Sequence, residues 1–119
     1  MSDNITWIFA AAIKEGELEN FKALAAEMIA ATEADEPGAL NYEWFINDDA
    51  STCHILERYA DSDAALVHLG NFGKKFAGNL MSMVKPKGMT VYGSPSDELS
   101  AALANLGATI MPTIGGFAR

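Results

Sequence analysis

Residues 52–68, TCHILERYADSDAALVH, constrain the fold more than any other stretch, because the hydrophobic period changes from two to nearly four across a short acidic turn. From 52 to 59 the side chains alternate, with Cys53, Ile55, Glu57 and Tyr59 on one face and His54, Leu56 and Arg58 on the other. Asp61, Ser62 and Asp63 then supply side-chain oxygens and negative charge suited to a helix N-terminus. Beyond them Ala65, Leu69, Phe72, Phe76, Leu80 and Met83 make one helical stripe, and His68, Lys75 and Asn79 lie along its edge. A carboxylate on a strand and an imidazole on the following helix therefore flank one strand–helix interface.

The rest of the chain packs around that corner. Residues 5–13 read as a strand with Ile5, Trp7, Phe9, Ala11 and Ile13 on one face and Thr6, Ile8, Ala10 and Ala12 on the other. Both faces are largely apolar, so both call for cover. A helix over 17–33, with Leu18, Phe21, Ala25, Met28 and Thr32 inward, stops at Glu36-Pro37-Gly38, since the residue before proline avoids helical torsions. A strand over 39–47 follows, Leu40, Tyr42, Trp44 and Ile46 sharing a face, and a polar turn at 47–51 makes a hairpin with 52–59. The second helix is expected to reach Val84 despite Gly70, Gly73 and Gly78, with close packing possible beside Gly70. Lys85-Pro86-Lys87-Gly88 then leads to a strand over 89–92. Ser94-Pro95-Ser96-Asp97 signals a third helix with Leu99, Leu103 and Leu106 inward, ended by Gly107. The apolar tail from 108 reads as an edge strand or packed arm.

This order, β-α-β-β-α-β plus a helix and tail, is that of an α+β ferredoxin-like sandwich with an antiparallel sheet. Residues 1–94 form its domain, and 95–119 pack on that domain or on a partner subunit. Two helices cover one sheet face only, so the second apolar face of the first strands predicts a homodimer packed sheet to sheet. A net charge of −8 opposes nucleic acid and anionic membrane surfaces, which need clustered Lys and Arg. The single cysteine forms no internal disulfide, and no apolar run approaches membrane-spanning length. A cytoplasmic protein is expected. The two histidines have no i, i+4 partner for a metal, and no glycine-rich phosphate loop follows a strand, so neither metal nor nucleotide is expected.

Glu36-Pro37-Gly38 with Tyr42 four residues beyond Gly38, followed by Glu57, Tyr59, Ala65 and His68 in the pattern E-x-Y-x5-A-x2-H, resembles the antibiotic biosynthesis monooxygenase domain family over about residues 5–92. The resemblance implies a dimeric α/β barrel, often a small enzyme that oxidises phenolic, quinol or anthrone-like substrates with O2 and without flavin, haem or metal. Tyr59 stands where the family commonly carries Trp.

Such chemistry needs a positioned base and a water-poor pocket, because a deprotonated electron-rich phenol reduces O2 directly. His68 suits the base, with Glu57 orienting its other nitrogen. Tyr42, Trp44, Phe72 and Phe76 offer flat apolar walls, and Tyr59 and Asn79 hydrogen-bond partners, for a small aromatic or apolar molecule. Each residue also has a purely structural reading. His68 fits a histidine bonded to a backbone carbonyl, Glu57 an acid paired at a subunit interface, and Phe72 and Phe76 a core stripe. The alternative to an enzyme is a non-catalytic dimeric barrel that binds a small apolar ligand.

Overall fold

In the computed structural model, which describes residues 3–119, the elements run β1 (Ile5–Ile13), α1 (Leu18–Asp35), β2 (Ala39–Ile46), β3 (Thr52–Tyr59), α2 (Ser62–Lys75), α3 (Ala77–Met83), β4 (Val84–Tyr92), α4 (Asp97–Asn105) and β5 (Thr109–Met111). β1, apolar on both faces, takes the centre of a five-stranded sheet of order β2-β3-β1-β4-β5. It pairs antiparallel with β3 on one edge and β4 on the other. β2 completes the hairpin with β3, and the tail adds β5 parallel to β4. Through β4 this is the ferredoxin-like α+β arrangement, and within one chain the sheet stays open at β2 and β5.

One sheet face is buried under the helices. Ile5, Trp7 and Ala11 of β1, Cys53, Ile55, Glu57 and Tyr59 of β3, and Val84 and Val91 of β4 are all buried, as the alternation of side chains in each strand requires. The buried residues fall into two clusters. One gathers Ile5, Trp7, Tyr59, Ala65 and Val91 with Leu99 and Leu103 of α4. The other gathers Ala11, Cys53 and Val84 with Phe21, Leu24 and Met28 of α1 and Leu80 of α3. On the opposite face Ile8, Phe45 and Leu56 line a shallow groove beside His54, and Phe45 is half exposed.

Several elements differ from the sequence reading. α1 runs on to Asp35 and buries Leu24 rather than Ala25. The helix expected to reach Val84 breaks at Phe76, whose φ of −128° leaves the helical range, so α3 begins a new helical phase. Glycines on either side lower the cost of that break. Gly70 is exposed with open space beside it, so no element packs there. β4 starts at Val84, five residues before the expected strand. A bulge opposite Ala10 and Ala11 absorbs Lys87, and Pro86 and Gly88 fit there because a bulge tolerates a missing donor and a φ of 158°. α4 starts at Asp97 with Ser96 as its cap, accepting from the Leu99 N–H at 3.2 Å. The Ser96 N–H is itself taken by Ser62 Oγ at 2.9 Å, which joins the starts of α4 and α2.

Gly38 fixes how closely the chain after α1 approaches α2. A Cβ there would lie 2.6 Å from Ala64 Cβ, and the Gly38 carbonyl accepts from the Ala60 N–H at 2.9 Å. Gly38→Ala should therefore destabilise the protein by about 1–3 kcal/mol through overpacking. Urea unfolding checks this, and an unchanged midpoint contradicts the close approach.

Candidate active site

The site is assembled from three elements that local sequence aims at one point. Alternation in β3 turns Glu57 and Tyr59 toward the helices. Asp61 then caps α2, its Oδ1 accepting from the Ala64 N–H at 2.8 Å, and α2 places His68 on its buried side. From the other direction, α1 ends at Glu36, where Pro37 forbids another turn, and the corner at Gly38 docks against the start of α2.

His68 stands between two acids. Its Nδ1 lies 2.9 Å from Glu36 Oε1 and its Nε2 lies 3.2 Å from Glu57 Oε1, with the side chains almost fully buried. Asn71 donates to Glu36 Oε2 at 3.2 Å, and the Tyr59 hydroxyl donates to Glu57 Oε1 at 2.6 Å. The ring of Tyr42 meets His68 edge-on at 5.3 Å, and that of Tyr59 packs on it at 5.1 Å.

Imidazolium is the form that suits these neighbours, because only the charged ring carries an N–H at both nitrogens. Burial works against the charge, but the hydrogen bonds and negative charge of Glu57 and Glu36 outweigh it, so His68 titrates above its ordinary value of 6.5. With both acids ionised the array holds one net negative charge. Burial, reinforced by the Glu57 charge, pushes the phenols of Tyr59 and Tyr42 far above their usual range. Tyr59 therefore acts as a neutral donor to Glu57.

Glu57 and His68 form the polar end of a cavity of about 180 Å³ between the two core clusters. Its walls are otherwise mostly hydrophobic, with Trp7, Phe9, Tyr42, Ile55, Leu69, Phe72 and Met89 around the polar pair. Of the residues singled out from sequence, the structure brings Tyr42, Glu57, His68 and Phe72 to the cavity. Tyr59 sits behind Glu57, fully buried.

Trp44, Phe76 and Asn79 are not brought there, which corrects their expected place in the pocket. Trp44 packs on Phe21 at 5.6 Å, further along β2 than Tyr42, which meets His68. Phe76 lies at the helix break and packs on the α1-side cluster. The new phase of α3 turns Asn79 to solvent.

Glu36 and Asn71 are site residues the sequence reading missed. Glu36 was legible as a helix stop and as part of the Glu36-Pro37-Gly38 stretch of the resemblance, but not as a partner of His68, which lies 32 positions away. Among the described residues no group of three or more His, Cys, Asp or Glu is arranged to hold a metal ion. The array is suited to moving protons. It combines an acid in the imidazolium with an acceptor in Glu57, both held in a water-poor space.

A family model for antibiotic biosynthesis monooxygenase matches residues 5–72. The structure is similar to that of MupZ from Pseudomonas fluorescens, with a TM-score of 0.89 and 27% identity over 100% of this chain and 91% of that one. It also resembles SnoaB, a cofactor-independent oxygenase from Streptomyces nogalater, with a TM-score of 0.66 and 18% identity over 80% and 96% of the two chains. A conserved protein from Methanosarcina mazei gives a TM-score of 0.67 and 17% identity over 75% and 90%. No curated protein matches the chain.

Replacing one acid tests the charge balance. Because the folded-state pKa of His68 is raised, its charge contributes full stability below the unfolded value of about 6.5, and this is lost as pH rises through the folded value. Glu36→Gln keeps a similar shape but removes a negative charge, so His68 should titrate at lower pH and the loss, which begins at the same unfolded value, should be smaller and complete at lower pH. NMR titration of the ring protons, assigned with a His54 variant, measures this. Identical midpoints in the two proteins would show that Glu36 does not hold the charge.

Proposed function

The chain belongs to the antibiotic biosynthesis monooxygenase family, and we propose that it is a cofactor-independent monooxygenase of a small phenolic, quinol or anthrone-like substrate. The observation that carries this reading is the Glu57–His68 pair at the polar end of an otherwise largely apolar cavity. The structural likeness to a cofactor-independent oxygenase supports the same reading at the level of fold.

The substrate hydroxyl gives its proton to the pair. Both contacts of Glu57 with His68 and Tyr59 fall on Oε1, so Oε2 is the oxygen that accepts. Since a proton moves from substrate to Glu57 inside the cavity, the net charge there does not change, and the His68 cation stabilises the new oxyanion. His68 thus acts through its charge and its hold on Glu57, because both of its nitrogens already face acids. The deprotonated ring is electron-rich enough to pass an electron to O2. For an anthrone-like carbon, one oxygen atom becomes a carbonyl and the other leaves as water with the two hydrogens of that carbon, so no external reductant enters the balance.

The same array supports a second reading. A paired imidazolium is itself a proton donor, so acid and base together also suit a transfer without O2, such as an isomerisation. Oxygen uptake with a quinol panel, repeated anaerobically, separates the two readings. Aerobic turnover is expected to fall about 10²- to 10⁴-fold in His68→Ala and in Glu57→Gln. Product formed at equal rates without O2 would overturn the monooxygenase reading, and unchanged turnover in both variants would remove the pair from the chemistry.

The open sheet face is the proposed contact of a homodimer, which would complete a barrel from two sheets. Ile8, Phe45 and Leu56 present apolar surface there that no helix among the described residues covers. Light scattering at low micromolar concentration should give twice the 12.7 kDa chain mass, and Phe45→Glu should give the monomer. A wild-type protein of 12.7 kDa would contradict the dimer.

A further inference from the structure

The cavity has a buried floor and an exposed mouth, and they come from different parts of the chain. Trp7, Glu57 and His68 at the floor are almost fully buried. Met81, Pro86 and Leu106 line the same cavity yet are solvent-exposed, so they mark where it opens. The segment matched by the family model ends at residue 72 and includes the floor residues but none of these three.

The backbone that carries Leu106 is held firmly. Leu99 and Leu103 of the same helix are wholly buried in the core. The helix then closes with Gly107 at φ 73°, the Gly107 N–H donating to the Ala104 carbonyl at 3.0 Å and the Ala108 N–H to the Leu103 carbonyl at 3.1 Å. This pair of bonds is a Schellman closure, which fixes the last turn. β5 follows at once and is pinned to β4. Leu106 continues the stripe of Leu99 and Leu103 but ends over the cavity, 54% exposed, where a side chain meant only for the core would be covered.

We propose that Leu106 is a specificity-determining residue, which with Met81 sets the width of the mouth and admits flat, neutral, largely apolar molecules bearing one hydroxyl. The side chains that line the opening are apolar, and a cation, the Lys14 Nζ, sits beside them on the Met81 carbonyl at 3.4 Å, so discrimination against an anion is made at the floor. At the floor, the negative charge of Glu57 disfavours an anion while welcoming a hydroxyl. The unbranched methionine adapts to its occupant, whereas the branched leucine, carried on a backbone fixed by the helix closure, has less room to do so. This rests on the cavity being the substrate site.

Direct binding tests the proposal without depending on turnover. Fluorescence titration of the full chain uses 2-naphthol as the neutral probe, 2-naphthoate as its anionic counterpart and 9-phenanthrol as the bulkier one. The wild type should bind 2-naphthol and discriminate against 2-naphthoate by about tenfold or more. Leu106→Trp, at an exposed position, should weaken 2-naphthol binding by about tenfold at an unchanged melting midpoint, and Leu106→Ala should raise the affinity for 9-phenanthrol relative to 2-naphthol. Equal affinity of the wild type and Leu106→Trp for 2-naphthol overturns the role of Leu106 and leaves the proton-transfer reading standing. Equal binding of naphthol and naphthoate overturns the charge selection. If His68→Ala and Glu57→Gln lose turnover while the wild type binds neither naphthol nor naphthoate, the mouth proposal fails alone. If those variants also keep turnover, the proposed function fails with it.

Discussion

An imidazole placed between two buried acids ties three elements together at one buried point. Glu36 ends α1, Glu57 belongs to β3 and His68 to α2, so the contacts at 2.9 and 3.2 Å fix where the end of one helix meets the face of another over the sheet. Such an array adds little to net stability, because desolvation offsets most of the attraction. Removing one member is another matter. It leaves a buried charge without its partner, at a cost of about 3–5 kcal/mol. Asn71 and Tyr59 reduce that exposure to failure by each giving an acid a second donor.

Hydrophobic packing explains why the array borders a cavity. The cluster around Trp7, Tyr59 and α4 and the cluster around Phe21, Met28 and α3 each bury a different pair of helices on the same sheet. Where one ends and the other begins, the space between is not filled. A void of about 180 Å³ lowers stability through lost dispersion contacts. An apolar occupant would restore those contacts.

How much of this was legible in the sequence follows from the range of each interaction. The alternation of 52–59 placed Glu57 and Tyr59 on the covered face, and the apolar period of 62–72 placed His68 beside them, because both depend on local geometry alone. The order of elements through β4 was readable for the same reason. Glu36 was not, since a carboxylate at a helix stop looks the same whether it meets solvent or a histidine 32 residues on. Extending one helical stripe through Phe76 carried the reading past a break that tertiary packing imposes, and so misplaced Phe76 and Asn79. Leu106 was correctly put on an apolar stripe, yet its end over a cavity depends on how α4 docks, which periodicity does not encode.

Strand alternation also separates chemistry from assembly. On β1, Trp7 faces the cavity while its neighbour Ile8 lines the groove of the open face; on β3, Glu57 and Leu56 divide in the same way. Adjacent residues therefore serve opposite sides of one sheet. The proposed dimer face thus contributes no side chain to the Glu36–His68–Glu57 array, and every member of that array comes from one chain. Because a one-residue slip in either strand would exchange the two faces, the register that buries Trp7 opposite Glu57 is the same register that turns Ile8 and Leu56 outward together.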